Sequence, residues 1–461
     1  MKDLTKGSPL PLILGFAVPV LIGNLFQLFY NLADTRIVGS FLGDQALAAV
    51  GATSSLNSLM IGMMNGLSNG FAMIPARNFG ANDREQVRRS IGAIFVLSLL
   101  TTAVLTVLTV GFLPQILSML NTPSDLIGQA AAYFRIILLG MTVTLLYNVS
   151  AAVLRAIGDS VTPLLFLILA AVLNVGLDLL CVGVLRLGVQ GAALATVAAQ
   201  TVSVVCCLLY ARKKYPMFWP RREDFRVSVN LAGQLYGAGV SMALMLSLVN
   251  FGSVFLQGVI NTFGVNIIVA HTAARRLTEL FMLPMAVLGV TLATYCSQNY
   301  GAKRPDRIRQ GLWQGLLLAW AGWLLAVVLS FTIVPTLVRM VTGTDNQEVI
   351  QTATRYLRIN TIFYFVTDVI SLVRNSLQGV GDRWTPLVSS SIELFGKLGI
   401  VIFLTPSLGY FGVMISEPIV WFLMVIPLIW QVLRHPAFRK DGVILIKNPG
   451  FDSRDFTFFM L

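Results

Sequence analysis

Twelve apolar runs, each about as long as a bilayer is thick, dominate the sequence. A membrane-crossing helix needs about 20 mostly apolar residues. Breaking the runs at glycine, proline and charge clusters places them at roughly 9–38, 46–75, 91–113, 128–155, 162–185, 190–211, 233–261, 267–297, 311–334, 352–378, 386–405 and 410–433. Several exceed the hydrocarbon thickness, which predicts tilt or extension beyond it. Only 12% of the 461 residues are charged, against about 25% in soluble domains. A water-soluble globule has too little polar surface to be built from this chain. The expected fold class is therefore an all-α integral membrane protein. Asp34 ends the first run and no small-residue cleavage site precedes a soluble region, so that run reads as a retained helix rather than a signal peptide.

The net charge of +12 would suggest nucleic acid on a soluble protein. Here the basic residues cluster between apolar runs, as in cytoplasmic membrane loops, and no nucleic-acid partner is expected. The 2–3 connection carries Arg77, Arg84, Arg88 and Arg89, and the 6–7 connection carries Arg212, Lys213, Lys214, Arg221, Arg222 and Arg226. The 8–9 connection adds Lys303, Arg304, Arg307 and Arg309, while 114–127 has neither Lys nor Arg. The positive-inside rule then places both termini in the cytoplasm, in agreement with an even helix count. Cys181, Cys206, Cys207 and Cys296 lie inside apolar stretches without metal-ligand spacing. They read as small buried hydrophobes, with neither a disulfide nor a metal site expected.

The chain repeats itself. Leu154-Arg-Ala-Ile-Gly-Asp-Ser-Val-Thr-Pro-Leu164 recurs as Leu377-Gln-Gly-Val-Gly-Asp-Arg-Trp-Thr-Pro-Leu387, with six identities in eleven. Asn78-Phe-Gly-Ala returns as Asn299-Tyr-Gly-Ala, and Tyr133-Phe-Arg-Ile as Tyr356-Leu-Arg-Ile. Gly80 and Gly301 suit helix C-caps, and the two Thr-Pro pairs would supply N-cap and N1 of the following helix. Six helices per half is an even number, so both bundles keep one orientation and are related by a pseudo-two-fold along the membrane normal. The expected division is an N-lobe at 1–211, a cytoplasmic linker at 212–232, a C-lobe at 233–433 and a cytoplasmic tail at 434–461.

Charged side chains inside a membrane cost several kcal/mol and usually line a polar path. Those within the runs are Asp34, Asp178, Glu279, Asp368, Glu393 and Lys397, with His271 near an end. At about 1.5 Å rise per residue, Asp34 lies roughly 9 Å and Asp178 roughly 12 Å below the outer helix ends. Asn174 shares a face with Asp178 at i,i+4 spacing, and Asn31 stands at i−3 from Asp34. Thr196 and Tyr133 reach a similar depth. Each also has a plain reading: Asp34 beside Arg36 at the interface, Asn174 and Asp178 as packing polar groups, Thr196 likewise, and Tyr133 in an aromatic belt. Convergence at one depth favours a site. In the second half, Lys397 is one turn from Glu393, a spacing that permits a local ion pair, and Arg275 or Arg276 could pair with Glu279. Asp368 has no such partner one turn away.

These residues together resemble the multidrug and toxic compound extrusion (MATE) family from Pro19 to about Arg434. The carriers are Asn31-Leu-Ala-Asp34-Thr-Arg-Ile-Val-Gly39, Leu47-Ala-Ala49, Asn78-Phe-Gly-Ala81, Arg155-Ala-Ile-Gly-Asp159 and Gly188-Val-Gln-Gly-Ala-Ala193. The resemblance implies two six-helix bundles around a central cavity, in a multi-pass protein of the bacterial inner membrane. It implies export of amphipathic, often cationic compounds in exchange for H⁺ or Na⁺, by a protein acting as a monomer with no cofactor beyond that ion. Asp34, Asn174 and Asp178 match the family's cation-coupling residues, with Thr196, Tyr133 and Asn31 beside them. Asp368 resembles an acidic residue of one branch and, with Glu279 and Lys397, forms a candidate second-lobe or substrate site. Leu248-Val-Asn-Phe251 lacks the helix 7 carboxylate of that branch, and Glu279 suggests the DinF-like or another bacterial branch. An exporter of lipid-linked or other cell-envelope precursors is the alternative. No nucleophile, metal or nucleotide-binding constellation supports an enzyme or an ATP-driven pump.

Overall fold

The computed structural model describes residues 2–119 and 123–439. The tail expected at 434–461 lies outside the described residues from 440 onward. The first half runs α1 (Pro9–Ala52), α2 (Ser54–Gly80), α3 (Arg84–Gly111), α4 (Leu113–Met119), α5 (Ser124–Leu139), α6 (Met141–Ala156), α7 (Val161–Asp178) and α8 (Gly188–Lys214). The second runs α9 (Val229–Ile260), α10 (Val265–Gly301), α11 (Pro305–Thr332), α12 (Val334–Thr342), α13 (Gln347–Ile362), α14 (Tyr364–Val380), α15 (Trp384–Phe403), α16 (Thr405–Leu408) and α17 (Tyr410–Arg434). Among the described residues there is no strand. Among the described residues eight helices are long and apolar enough to cross a membrane, and the bent pairs α5–α6 and α13–α14 bring the number to ten. The remaining two spans, α2 and α15, pack between neighbours, α2 against α9, α10 and α6, and α15 against α9 and α17.

The structure departs from the expected form of four spans. Span 1 continues to Ala52 across a break at Gly43 (φ 78°), so residues 46–52 belong to α1 and not to span 2. Glycine reaches that left-handed φ without a Cβ penalty. Spans 4 and 10, expected as continuous helices, bend by 46° at Gly140 and by 55° at Phe363. At Gly140 the neighbouring helix presses close: a Cβ there would lie 2.3 Å from Val197 Cγ2. Span 5 passes directly from Asp178 into a π-helical turn, Leu179–Val184.

The repeated words also act differently from expectation. Thr162 and Thr385 lie inside their helices, because the caps are the preceding aspartates. Asp159 Oδ1 accepts from the backbone N–H groups of Val161 and Thr162 (3.2 and 2.9 Å), and its Oδ2 accepts from the Thr162 hydroxyl (2.6 Å). Asp382 does the same for Trp384 and Thr385 (3.0, 3.1 and 2.7 Å). A carboxylate offers two acceptor oxygens to the free N–H groups of the first turn, which one hydroxyl cannot match. Burial opposes ionisation of Asp159, yet hydrogen bonds from Thr162, Tyr215 and Lys214 outweigh it and hold the carboxyl down at about 2.

Gly80 and Gly301 are required by close approach. A Cβ on Gly80 would lie 1.8 Å from Gln298 O, and one on Gly301 would lie 1.9 Å from Arg77 O. The contact is reciprocal under one offset, since Arg77 and Gln298 are as far apart in sequence as the two glycines. The ends of α2 and α10 therefore cross backbone to backbone on the pseudo-two-fold axis. The first helix of each half reaches across it: α1 packs on α10 and α11, and α9 packs on α2 and α3.

Around this crossing, at the end of the bundle carrying the basic loops, the N-terminal segment ties the halves together. Lys2 N–H donates to Gly158 O (2.8 Å) and Leu4 N–H to Gln298 Oε1 (3.1 Å). Asn299 Nδ2 and Arg307 Nη2 donate to Leu4 O (3.2 and 3.0 Å), and Arg307 Nη1 donates to Gly7 O (2.8 Å). Arg88 pairs with Asp224 and fixes the 212–232 segment to α3.

Candidate functional site

In the first half α1 packs against α5, α7 and α8, and five of the expected residues meet there. Asp178 ends the regular part of α7 and is 0% exposed. Its charged neighbour is Asp34, half-buried on α1. Asn174, one turn before Asp178, donates from Nδ2 to Thr196 Oγ1 on α8 (3.2 Å), and Thr196 donates on to Ala192 O (3.0 Å). Tyr133 of α5 is buried and lies within electrostatic reach of both aspartates. Tyr30 of α1 joins this group, interacting with Thr196 and with both carboxyls. The sequence carries a signal for Tyr30 as well, its i−4 spacing from Asp34. The side chain of Asn31 lies outside the described ones.

What defines this cluster is what it lacks. Asp34 Oδ1, Asn174 Oδ1 and both oxygens of Asp178 have no hydrogen-bond partner among the described residues. Buried polar groups are almost always satisfied, and each exception calls for an explanation. Two carboxylates brought together out of water repel each other unless a cation, proton or metal ion, sits between them. Carboxylate and amide oxygens are hard donors suited to such a cation. The π turn after Asp178 is a wider coil of the kind often found at functional positions.

The second half is built differently. Arg275 of α10 donates from Nη1 to Glu417 Oε1 of α17 (2.9 Å), and Tyr356 of α13 donates its hydroxyl to Glu417 Oε2 (2.8 Å). Lys397 of α15, 3% exposed, lies 2.9 Å from Glu393 Oε1 and 3.8 Å from Glu417 Oε1. His271 shares a hydrogen bond with Tyr410 (3.0 Å) and packs edge-on to Tyr356. The permitted Lys397–Glu393 pair thus forms. Arg275, however, pairs across helices with Glu417 and not with Glu279 of its own helix. Glu417 was missed because the apolar run containing it gave no local partner to draw notice. No ion pair or hydrogen bond joins Asp368, Glu279 and Lys397 to one another among the described residues. Asp368 of α14 is 0% exposed with both oxygens unpartnered, and Glu279 is exposed. Among the described residues no group of three or more His, Cys, Asp or Glu is placed to hold a metal ion.

Comparison with known proteins agrees with this architecture. The probable multidrug resistance protein YoeA of Bacillus subtilis is 27% identical over 392 residues, covering 83% of each chain. A FAD transporter of Shewanella oneidensis is 26% identical over 306 residues, 65% of this chain and 67% of that one. The fold matches a crystal structure of a MATE protein in its bent conformation with a TM-score of 0.88, at 24% identity over 95% of this chain and 98% of that one. The MatE family model matches twice, at residues 19–180 and 241–402, one match for each half of the repeat. The chain is therefore a member of the MATE family, a twelve-helix membrane transporter and not an enzyme.

Proposed function

We propose that this protein exports amphipathic, cationic organic compounds in exchange for H⁺ or Na⁺, with Asp34, Asn174 and Asp178 as the coupling site and Thr196, Tyr133 and Tyr30 shaping it. The carrying observation is the set of unpartnered oxygens on Asp34, Asn174 and Asp178, buried in a helix bundle. A coupling cation that fills the site would bias the bundle toward one conformer, and that difference in affinity is what any coupled shift requires. The basic loops and both termini then face the cytoplasm. Arg276 and Glu279 are exposed on α10, roughly 17 and 21 Å from its start at Val265 by helical rise. Charges at that depth avoid lipid, so these two line the water-filled cleft through which substrate leaves. The test is reconstitution into proteoliposomes with an imposed pH or Na⁺ gradient, following efflux of a fluorescent organic cation. Efflux that Asp178→Asn leaves intact would end the assignment. The likeness to a FAD transporter supports a second reading, export of an anionic dinucleotide, which the same vesicles loaded with flavin dinucleotide would reveal.

A further inference from the structure

The repeat relates the two polar clusters residue by residue. Tyr133 corresponds to Tyr356, and the offset of 223 that links Thr162 to Thr385 links Asn174 to Lys397. Gly188, which opens α8, and Gly409, which precedes α17, are both at positive φ (64° and 57°), and their offset carries Thr196 onto Glu417. The contact is kept while its chemistry changes: Asn174 Nδ2 meets Thr196 Oγ1 at 3.2 Å, and Lys397 Nζ meets Glu417 Oε1 at 3.8 Å. The family matches are offset by 222 residues, from 19 to 241, which carries Asp34 onto buried Leu256 and Tyr30 onto Gly252. A Cβ on Gly252 would lie 3.3 Å from Lys397 Cδ. The glycine thus makes room for the lysine stem where the first half has a tyrosine ring.

We propose that the Lys397 ammonium is a tethered cation occupying the second half's counterpart of the coupling site, so that no free coupling ion binds at that counterpart. The ammonium stands where a free monovalent cation would sit, against Glu393 and Glu417. Arg275 and Tyr356 satisfy the rest of Glu417. His271 and Tyr410 lie behind Tyr356, and Arg374 is a further electrostatic neighbour of Glu393 that makes no ion pair with it. This inference rests on the coupling role given to Asp34 and Asp178, and its decisive arm works in a background where that site is disabled.

The experiment counts cations on the purified full-length protein, using radiolabelled sodium at fixed pH and, separately, proton uptake in a pH-stat. The wild type should take up one equivalent of one of the two ions and Asp178→Asn none. Asp178→Asn/Lys397→Met should regain one equivalent, and adding Glu393→Gln should remove it again. A double variant that takes up no cation would overturn the proposal. Uptake by the double variant but not by the wild type would sustain it while defeating the coupling role of the first-half site. If removal of the lysine harms folding, sodium or acid should raise the variant's unfolding temperature. A variant unfolded at molar sodium and at low pH, beside a folded Lys397→Met/Glu393→Gln, would overturn the proposal as well.

Discussion

The two halves share one scaffold and use it in opposite ways. The first half gathers carboxyl and amide oxygens that nothing among the described residues donates to, whereas the second surrounds the matching position with Arg275, Lys397, Glu393 and Glu417, all paired. Duplication has kept the helices, the aspartate caps and the glycine crossing, while the polar interior has diverged. An unsatisfied cluster is a place for a mobile ion, and a satisfied one is a place for structure.

That contrast can be broken most sharply on stability. Arg275→Met leaves Glu417 buried with its main partner gone, and breaking such a pair costs about 3 kcal/mol. The variant should unfold early in a thermal melt, whereas Asp34→Asn should melt near the wild-type temperature, because it removes a charge that has no partner to lose. Transport should show the reverse pattern. Asp178→Asn should lower gradient-driven efflux by about a hundredfold, the equivalent of about 2.7 kcal/mol of differential cation binding, and a stopped assay on vesicles checks this. Gly301→Ala should destabilise the closed crossing by about 2 kcal/mol, as overpacking does. Spin-label distances across the basic end should lengthen in that variant. Asn174→Ala and Thr196→Ala should be non-additive by about 1 kcal/mol in efflux, since they share a hydrogen bond.

The smallest effect concerns a cap outside the membrane. The folded carboxyl of Asp159 titrates at about 2, below its ordinary 3.8. A depressed carboxylate pKa stabilises the fold above the unfolded value and loses that contribution as pH falls through the folded one. Asp159→Asn should therefore cost about 1 kcal/mol at neutral pH, and the difference from wild type should shrink between pH 3.8 and 2.

Much of the scaffold could be read from the chain, because span length and loop charge are local quantities. The bends at Gly140 and Phe363 could not, since the close approach of Val197 to Gly140 appears only once α8 is in place. Asp34, Asn174, Asp178, Thr196 and Tyr133 could be grouped by helical depth alone. Glu417 escaped notice because its partners, Arg275 and Tyr356, sit 142 and 61 residues away. Gly80 and Gly301 were noticed for a different reason from the one that holds them, as a C-cap is visible in a sequence and a backbone crossing is not.

The strap from Lys2 to Gly7 has one last consequence. It holds the basic end with hydrogen bonds to backbone carbonyls and amides, and with one apolar side chain, Leu4, which is fully buried in the core of the second half. Water can replace each of those partners almost evenly, so each bond contributes only about 0.5–1.5 kcal/mol net. Such a seal behaves as a latch with a pin: its polar bonds can be released one at a time, but the last step withdraws Leu4 from the core, and burying a leucine is worth about 1.5–3 kcal/mol.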